Sequence, residues 1–89
     1  MKISFHKNFI KQLKKLSVKE RQQTKERLAL FLESPFHEQL NNHPLKGKYL
    51  GFRSINIKGD LRAVYKSISE SDQECIFVLI GNHSQLYSN

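Results

Sequence analysis

The sequence of 89 residues has little cysteine, and this limits its chemistry. A single cysteine, Cys75, excludes an internal disulfide, and it lies in a hydrophobic run where we expect a buried, inert thiol. A reducing, cytoplasmic compartment agrees with this cysteine usage. The sequence also lacks a long apolar stretch, so we expect no signal peptide and no membrane-spanning helix. Its length predicts one domain over residues 1–89.

Acidic residues are scarce as well. Eight Asp and Glu residues are set against fifteen Lys and Arg, which gives a formal net charge of +7. Such a surface favours polyanions, whether nucleic acid, the ribosome, an acidic protein or a membrane surface, and charge alone does not distinguish among them. Hydrophobic residues make up 38% of the chain, which is enough for one core and argues against wholesale disorder.

Several catalytic motifs are missing from the sequence. The histidines have no spacing typical of metal ligands, no glycine-rich loop is present to hold a triphosphate, and no Ser or Cys lies in a nucleophile elbow. We therefore expect neither a metal ion nor another cofactor.

The first part of the chain has helical patterning. Lys2–Phe5 alternates polar and apolar residues and predicts a short strand, after which apolar residues recur at helical spacing from about Lys7. Ser17-Val18-Lys19-Glu20 is a capping box, which predicts a second helix from Val18. Ser34-Pro35 ends that helix, because proline disfavours helix in the residue before it. The short break between the helices predicts a hairpin.

The second part of the chain is patterned as strands. Residues 35–48 show no clear period and are predicted to form an ordered loop. Two strands, Arg53–Ile57 and Leu61–Ile68, are predicted around a turn at residues 58–60. Glu74–Ile80 is almost continuously apolar and predicts a central strand that Gly81 breaks, followed by a short tail. The whole predicts an α+β fold: a short N-terminal strand, a two-helix hairpin, then an antiparallel sheet of about four strands with one face free for function.

Strand parity predicts the register of the hairpin. Pairing Ile57 with Leu61 also pairs Asn56 with Arg62, and a slip by one residue would set apolar side chains against charged ones. The core face then collects Ile55, Ile57, Leu61, Ala63 and Tyr65, and the free face collects Ser54, Asn56, Arg62 and Val64.

Three residues draw attention as candidates for phosphate chemistry. His43 and His83 can move protons near neutral pH, and Arg62 can hold a phosphate and stabilise its developing charge. His43 enters the sheet, Arg62 lies on a strand, and His83 follows the last strand, so the three could converge. Each also has a plainer reading, since single histidines and strand arginines are often surface residues.

Five segments of the sequence form a set: His43-Pro44-Leu45-Lys46-Gly47, Gly51-Phe52-Arg53, Asp60, Tyr65-Lys66 and Gly81-Asn82-His83-Ser84-Gln85-Leu86-Tyr87. Together they resemble the RelE/ParE superfamily of toxins from type II toxin–antitoxin systems, in its YafQ-like mRNA interferase branch. The resemblance covers nearly the whole chain, and the combination of the two histidine segments is its most specific part.

The resemblance implies a metal-independent, ribosome-dependent endoribonuclease that cleaves mRNA, inhibits translation and is held inactive by an antitoxin protein. His43, Asp60 and His83 match catalytic positions of the YafQ-type pattern, and Arg62 matches a strand arginine of RelE-type relatives that stabilises the phosphate. The remaining expected RNA contacts are Lys46, Arg53, Asn56 and Tyr87, the last at a position where the pattern has an aromatic residue.

The chain departs from the YafQ-type pattern at Asn56, where the pattern has histidine, and at Leu61, where it has tryptophan. Asn56 cannot move a proton at neutral pH. The acid–base work would then fall to His43 and His83, with Asp60 orienting one of them or acting as a base.

Two other functions stay open at the level of sequence. A ParE-like toxin would inhibit DNA gyrase by binding, and a catalytically weak homologue would only bind RNA or its antitoxin. The paired histidines favour the nuclease, because a binding poison needs no proton donor. The basic charge predicts an acidic antitoxin, which would form a higher-order complex with an otherwise monomeric toxin and cover the free sheet face or the first two helices.

Overall fold

The computed structural model describes residues 1–71 and 73–87, with only the backbone of Tyr87. Two short 3-10 helices, Glu38–Leu40 and Gly47–Tyr49, flank the second strand. The strands and helices follow in the order β1 (Lys2–Phe5), α1 (Lys7–Lys14), α2 (Val18–Glu33), β2 (His43–Pro44), β3 (Arg53–Lys58), β4 (Leu61–Ser67), β5 (Glu74–Asn82) and α3 (His83–Tyr87).

The predicted α+β fold is confirmed, and its sheet has five strands in the order β1-β5-β4-β3-β2. β1 runs parallel to β5, whereas the other neighbouring strands are antiparallel. The strand beyond the expected number is β2, which lies inside the segment predicted as a loop. Two residues are too few to show a period of two, so the pattern could not reveal it.

The helical hairpin begins and ends as the sequence predicts. Ser17 Oγ accepts a hydrogen bond from the Glu20 N–H, and Glu20 Oε1 accepts one from the Ser17 N–H, both at 3.1 Å. α2 then ends at Glu33, just before Ser34-Pro35. None of the described helices is long and apolar enough to cross a membrane.

Aromatic rings fill the core between the helices and the sheet. The ring of Phe31 lies 4.9 Å from that of Tyr65 and 5.3 Å from that of Phe77, in edge-to-face geometries that such pairs prefer. The predicted core face of the hairpin is buried in the same cluster, which includes Ile55, Ile57, Leu61, Ala63 and Tyr65.

The register of β3 and β4 agrees with the prediction away from the turn. Asn56 pairs with Arg62, but Lys58 rather than Ile57 pairs with Leu61, after a register shift between Asn56 and Lys58. The turn is therefore shorter than expected, with Gly59 at φ +49°, a backbone conformation that glycine adopts without a steric cost.

The second sheet face is partly covered, which corrects the expectation of a free face. Ser54 and Val64 are completely buried although they point away from the helical hairpin. α3 covers part of this face over Gly81, the partner of Arg62, where an added Cβ would lie 3.0 Å from Gln85 Oε1. The predicted strand break at Gly81 is wrong, since β5 continues to Asn82, and residues 84–87 of the predicted tail belong to α3.

Candidate active site

A cleft of about 300 Å³ lies on the second sheet face. Four residues predicted for the site meet there: His43, Lys46, Arg62 and His83. They come from β2, the segment after it, β4 and the start of α3. The remaining lining residues are Asn41, Leu45 and Ser54. The fold therefore brings together His43 and His83, which are 40 positions apart in the sequence.

The backbone before β2 orients the imidazole of His43. Asn41 has a left-handed conformation with φ 45°, which asparagine tolerates better than most residues. Its carbonyl oxygen lies 2.7 Å from His43 Nδ1. Because a carbonyl can only accept, Nδ1 must carry the proton in this contact. The neutral ring then has its lone pair on Nε2, which is the arrangement that a general base needs.

The residue between Asn41 and His43 is anchored in the protein interior. Asn42 Nδ2 donates to the Tyr65 hydroxyl at 2.8 Å and to the Pro35 carbonyl at 2.9 Å. Arg53 Nε donates to Asn42 Oδ1 at 2.7 Å. Burial raises the pKa of the Tyr65 hydroxyl above its ordinary value, and the hydrogen bond from Asn42 opposes that rise. These contacts fix the backbone that positions His43.

His83 is positioned by a second capping box. Asn82 Oδ1 accepts from the Gln85 N–H at 2.7 Å, and Gln85 Oε1 accepts from the Asn82 N–H at 2.9 Å. The Tyr49 hydroxyl donates to the Leu86 carbonyl at 2.9 Å, and the Leu86 side chain is buried. The first residue of α3 is thus held where β5 ends, and its exposed imidazole faces the cleft.

Arg62 and Asn56 are neighbours on β4 and β3, as predicted. The guanidinium of Arg62 donates through Nη1 to the carbonyls of Gly59 and Leu61, which directs it along the β3–β4 turn. Asn56 Oδ1 is buried and has no hydrogen-bond partner among the described residues.

Three of the predicted residues do not line the cleft: Arg53, Asn56 and Asp60. Arg53 lies on the same face of β3 as Ile55, and its guanidinium donates to Asn42. It lines a different surface depression from the cleft. Asp60 is exposed in the β3–β4 turn and lines a separate depression. The side chain of Tyr87 lies outside the described residues.

Ser54 lines the cleft and was missed by the sequence reasoning. It pairs with His43 across β2 and β3, is completely buried, and its hydroxyl has no partner among the described residues. Its parity with Asn56 was the available signal, because both alternate with the core residues of β3.

The sequence matches one protein family along nearly its whole length. The family described as the bacterial toxin of type II toxin–antitoxin system, YafQ, matches residues 1–88. The chain belongs to the YafQ toxin family. It is therefore a toxin of a type II toxin–antitoxin system, as the sequence predicted. No curated protein sequence matches it significantly.

Solved structures of similar proteins share the fold of this YafQ-family chain. A metal-bound toxin from Helicobacter pylori is 32% identical, with 98% of this chain and 99% of that chain covered and a TM-score of 0.69. YafQ from E. coli strain BL21(DE3) is 21% identical, with 96% of each chain covered and a TM-score of 0.76. The E. coli DinJ–YafQ toxin–antitoxin complex gives 21% identity, coverage of 96% and 94%, and a TM-score of 0.73.

The Helicobacter pylori toxin was solved with a bound metal. Among residues 1–71 and 73–87, no group of three or more His, Cys, Asp or Glu side chains is arranged to hold a metal ion.

Proposed function

We propose that this YafQ-family toxin is an endoribonuclease that cleaves mRNA on the ribosome by general acid–base catalysis and so inhibits translation. One observation carries the proposal: His43, Arg62 and His83 line one cleft. Two groups that exchange protons and one fixed positive charge are the functions that RNA needs for cleavage through its own 2′-hydroxyl.

The tautomer of His43 assigns it the role of base. With Nδ1–H donated to the Asn41 carbonyl, Nε2 accepts the proton of the RNA 2′-hydroxyl. The 2′-oxygen attacks the adjacent phosphorus, the bond from phosphorus to the 5′-oxygen breaks, and His83 protonates that leaving oxygen. The products are a 2′,3′-cyclic phosphate and a 5′-hydroxyl, and each histidine contributes about 10²–10⁴-fold to the rate.

Arg62 stabilises the charge of the pentacoordinate phosphate. Only its Nη1 donates to the turn carbonyls, so the other guanidinium N–H groups serve the phosphate oxygens. One such preorganised donor contributes about 10²–10³-fold. Asp60 lies in the turn to which Arg62 donates, so we give it a positioning role rather than a contact with RNA.

Binding of RNA is assigned to the neighbours of these groups. Lys46 lines the cleft and supplies a phosphate contact, and Asn56, the partner of Arg62 across β3 and β4, is a further RNA contact in this proposal. Tyr87 keeps its expected role as an RNA contact. Arg53 is instead a positioning residue, because its guanidinium holds Asn42 next to His43.

The partner of the toxin is an acidic antitoxin. The solved E. coli DinJ–YafQ complex supports such a partner for a chain of the same family. The net charge of +7 supports both an acidic antitoxin and a polyanionic substrate, and the ribosome and mRNA place the reaction in the cytoplasm.

The test is to map mRNA cut sites after brief expression of the wild type, His83→Ala and Arg62→Ala, with His37→Ala as a control histidine. We expect discrete cuts and arrested growth with the wild type and the control, and neither with the two site variants. A parallel reaction with purified mRNA should require added ribosomes. Full toxicity of both site variants, or gyrase inhibition in a supercoiling assay without mRNA cleavage, would overturn the proposal.

A further inference from the structure

An apolar groove of about 420 Å³ lies beside the cleft. Its walls include Pro35, Phe36, Pro44, Leu50 and Phe52. Phe36 is 68% exposed and Leu50 is 77% exposed, which is far above what a side chain in the core retains. Large apolar side chains that cluster in one exposed groove indicate an interaction site rather than scattered surface residues.

Positive charge surrounds this groove. The guanidinium of Arg53 lies 5.2 Å from the centre of the Phe36 ring, and the ammonium of Lys66 lies 5.4 Å from the centre of the Phe52 ring. Both distances fall within the range of cation–π contacts. None of the described residues that line the groove is acidic. The groove therefore presents apolar walls with a cationic rim.

We propose that this groove binds a segment of the antitoxin that combines apolar side chains with acidic ones. The inference rests on the proposed function only for the existence of the antitoxin. Apolar side chains would enter between Phe36 and Leu50, while carboxylates would meet Arg53 and Lys66 at the rim. Such a pairing of charge with apolar contact gives both steering and specificity.

The chemistry of the groove favours a protein segment over RNA. Bases bind single-strand sites by stacking on open aromatic faces. Here the rings of Phe36 and Phe52 each carry a cation over one face, and aliphatic and proline side chains form much of the remaining wall. These surfaces suit the side chains of a peptide better than the planes of bases.

The groove also touches the residues that position the base. Leu45 lines both the groove and the cleft, and Arg53 holds Asn42, the residue before His43. A segment in the groove would contact the His43 segment without entering the cleft. Neutralisation of the toxin would then act through the position of His43 as well as through steric blocking.

The test compares Leu50→Glu with Val18→Glu. Val18 is 75% exposed at the start of α2, so the control introduces the same charge at an equally exposed apolar position outside the groove. The toxin carries His83→Ala in all samples so that it can be produced without its antitoxin. Affinity for the purified cognate antitoxin is measured by calorimetry at low and physiological salt.

We expect Leu50→Glu to weaken antitoxin binding at least tenfold and Val18→Glu to change it less than twofold. Phe36→Ala, which removes an apolar wall without adding charge, should weaken binding in the same direction. Equal affinities for the wild type and both groove variants would overturn the proposal. So would a Leu50→Glu effect confined to binding of a short single-stranded RNA, or to self-association measured by sedimentation. None of these readouts needs RNA cleavage, so failure of the nuclease proposal would be seen separately.

Discussion

Arg53 Nε donates a 2.7 Å hydrogen bond to Asn42 Oδ1 and so anchors the segment that carries His43. Asn42 is bonded in turn to the hydroxyl of Tyr65, whose ring packs against Phe31 in the core. The position of the proposed base therefore depends on contacts that reach into the hydrophobic core. Conservative changes in this chain of contacts should alter activity without removing any group that touches RNA.

Arg53→Lys should lower mRNA cleavage about tenfold while the protein stays folded. Lysine keeps the charge but cannot reproduce the contact from Nε, so Asn42 loses a partner and His43 loses its fixed position. The matched control is Arg21→Lys, which removes contacts to the carbonyls of Lys14 and Leu16 far from the cleft. Thermal unfolding should show similar losses of stability for the two variants. Single-turnover cleavage should show a loss of rate for Arg53→Lys alone. Equal rates for the two variants would contradict the positioning role.

His43→Asn should reduce cleavage by about 10²–10⁴-fold, the usual contribution of a general base. The asparagine amide can still donate to the Asn41 carbonyl, so the backbone should keep its conformation. His37→Asn is the control, since His37 Nδ1 accepts from the Gln39 N–H and an asparagine oxygen can replace that acceptor outside the cleft. The cleavage rates of the two variants are compared after their unfolding temperatures have been shown to be equal. A His43→Asn rate within tenfold of the wild-type rate would reject the role of His43 as the general base.

Ser17→Ala should destabilise the protein by about 1 kcal/mol, because the first turn of α2 loses its side-chain cap. For a domain of this size the unfolding temperature should fall by roughly 4–8 °C. Glu20→Gln keeps an acceptor for the Ser17 N–H and should cost much less. Differential scanning calorimetry of both variants tests this, and equal shifts would show that the charge of Glu20 contributes as much as the Ser17 cap.

Cys75 should make the protein less stable at alkaline pH. Burial raises the pKa of its thiol from 9.0 to about 11. Below pH 9 the thiol is protonated in both states, whereas above pH 9 it ionises in the unfolded chain first, so stability falls as pH rises towards 11. The loss at pH 10 is about 1 kcal/mol.

Urea unfolding at pH 7.5 and pH 10 measures this loss, with Cys75→Ala as the reference that lacks the thiol. Tyr65, whose pKa is also raised, contributes to both proteins and cancels in the comparison. We expect the wild type to lose about 1 kcal/mol more than the variant between the two pH values. Equal losses would mean that the thiol is accessible to water.

Much of the fold followed from local chemistry in the sequence. The capping box at Ser17 located α2, and the parity of the hairpin gave the pair Asn56–Arg62. The same parity predicts that Arg53 lies on the helix side of the sheet, on the face of β3 that carries Ile55 and Ile57. The sequence resemblance implies an RNA contact for the same side chain.

The C-terminal part was harder to predict because its signals conflict. Glycine often weakens or interrupts a strand. At Gly81, however, the missing side chain makes room for Gln85 and Leu86 to pack against the sheet. Asn82-His83-Ser84-Gln85 has the spacing of a capping box and was the available sign of α3. The separation of Asp60 from the cleft depends on the backbone conformation of the turn at Gly59. The spacing of apolar residues in the sequence does not predict that conformation.

Pro44 ends the two-residue strand β2, which forms one edge of the sheet. Proline has no N–H to offer to a further strand, and so short an edge gives little template for backbone pairing. No peptide can therefore readily extend the sheet on the side that carries His43. This edge is therefore a poor template for fibril-like stacking of toxin molecules, and a ligand that approaches it is expected to bind through side chains rather than by adding a strand.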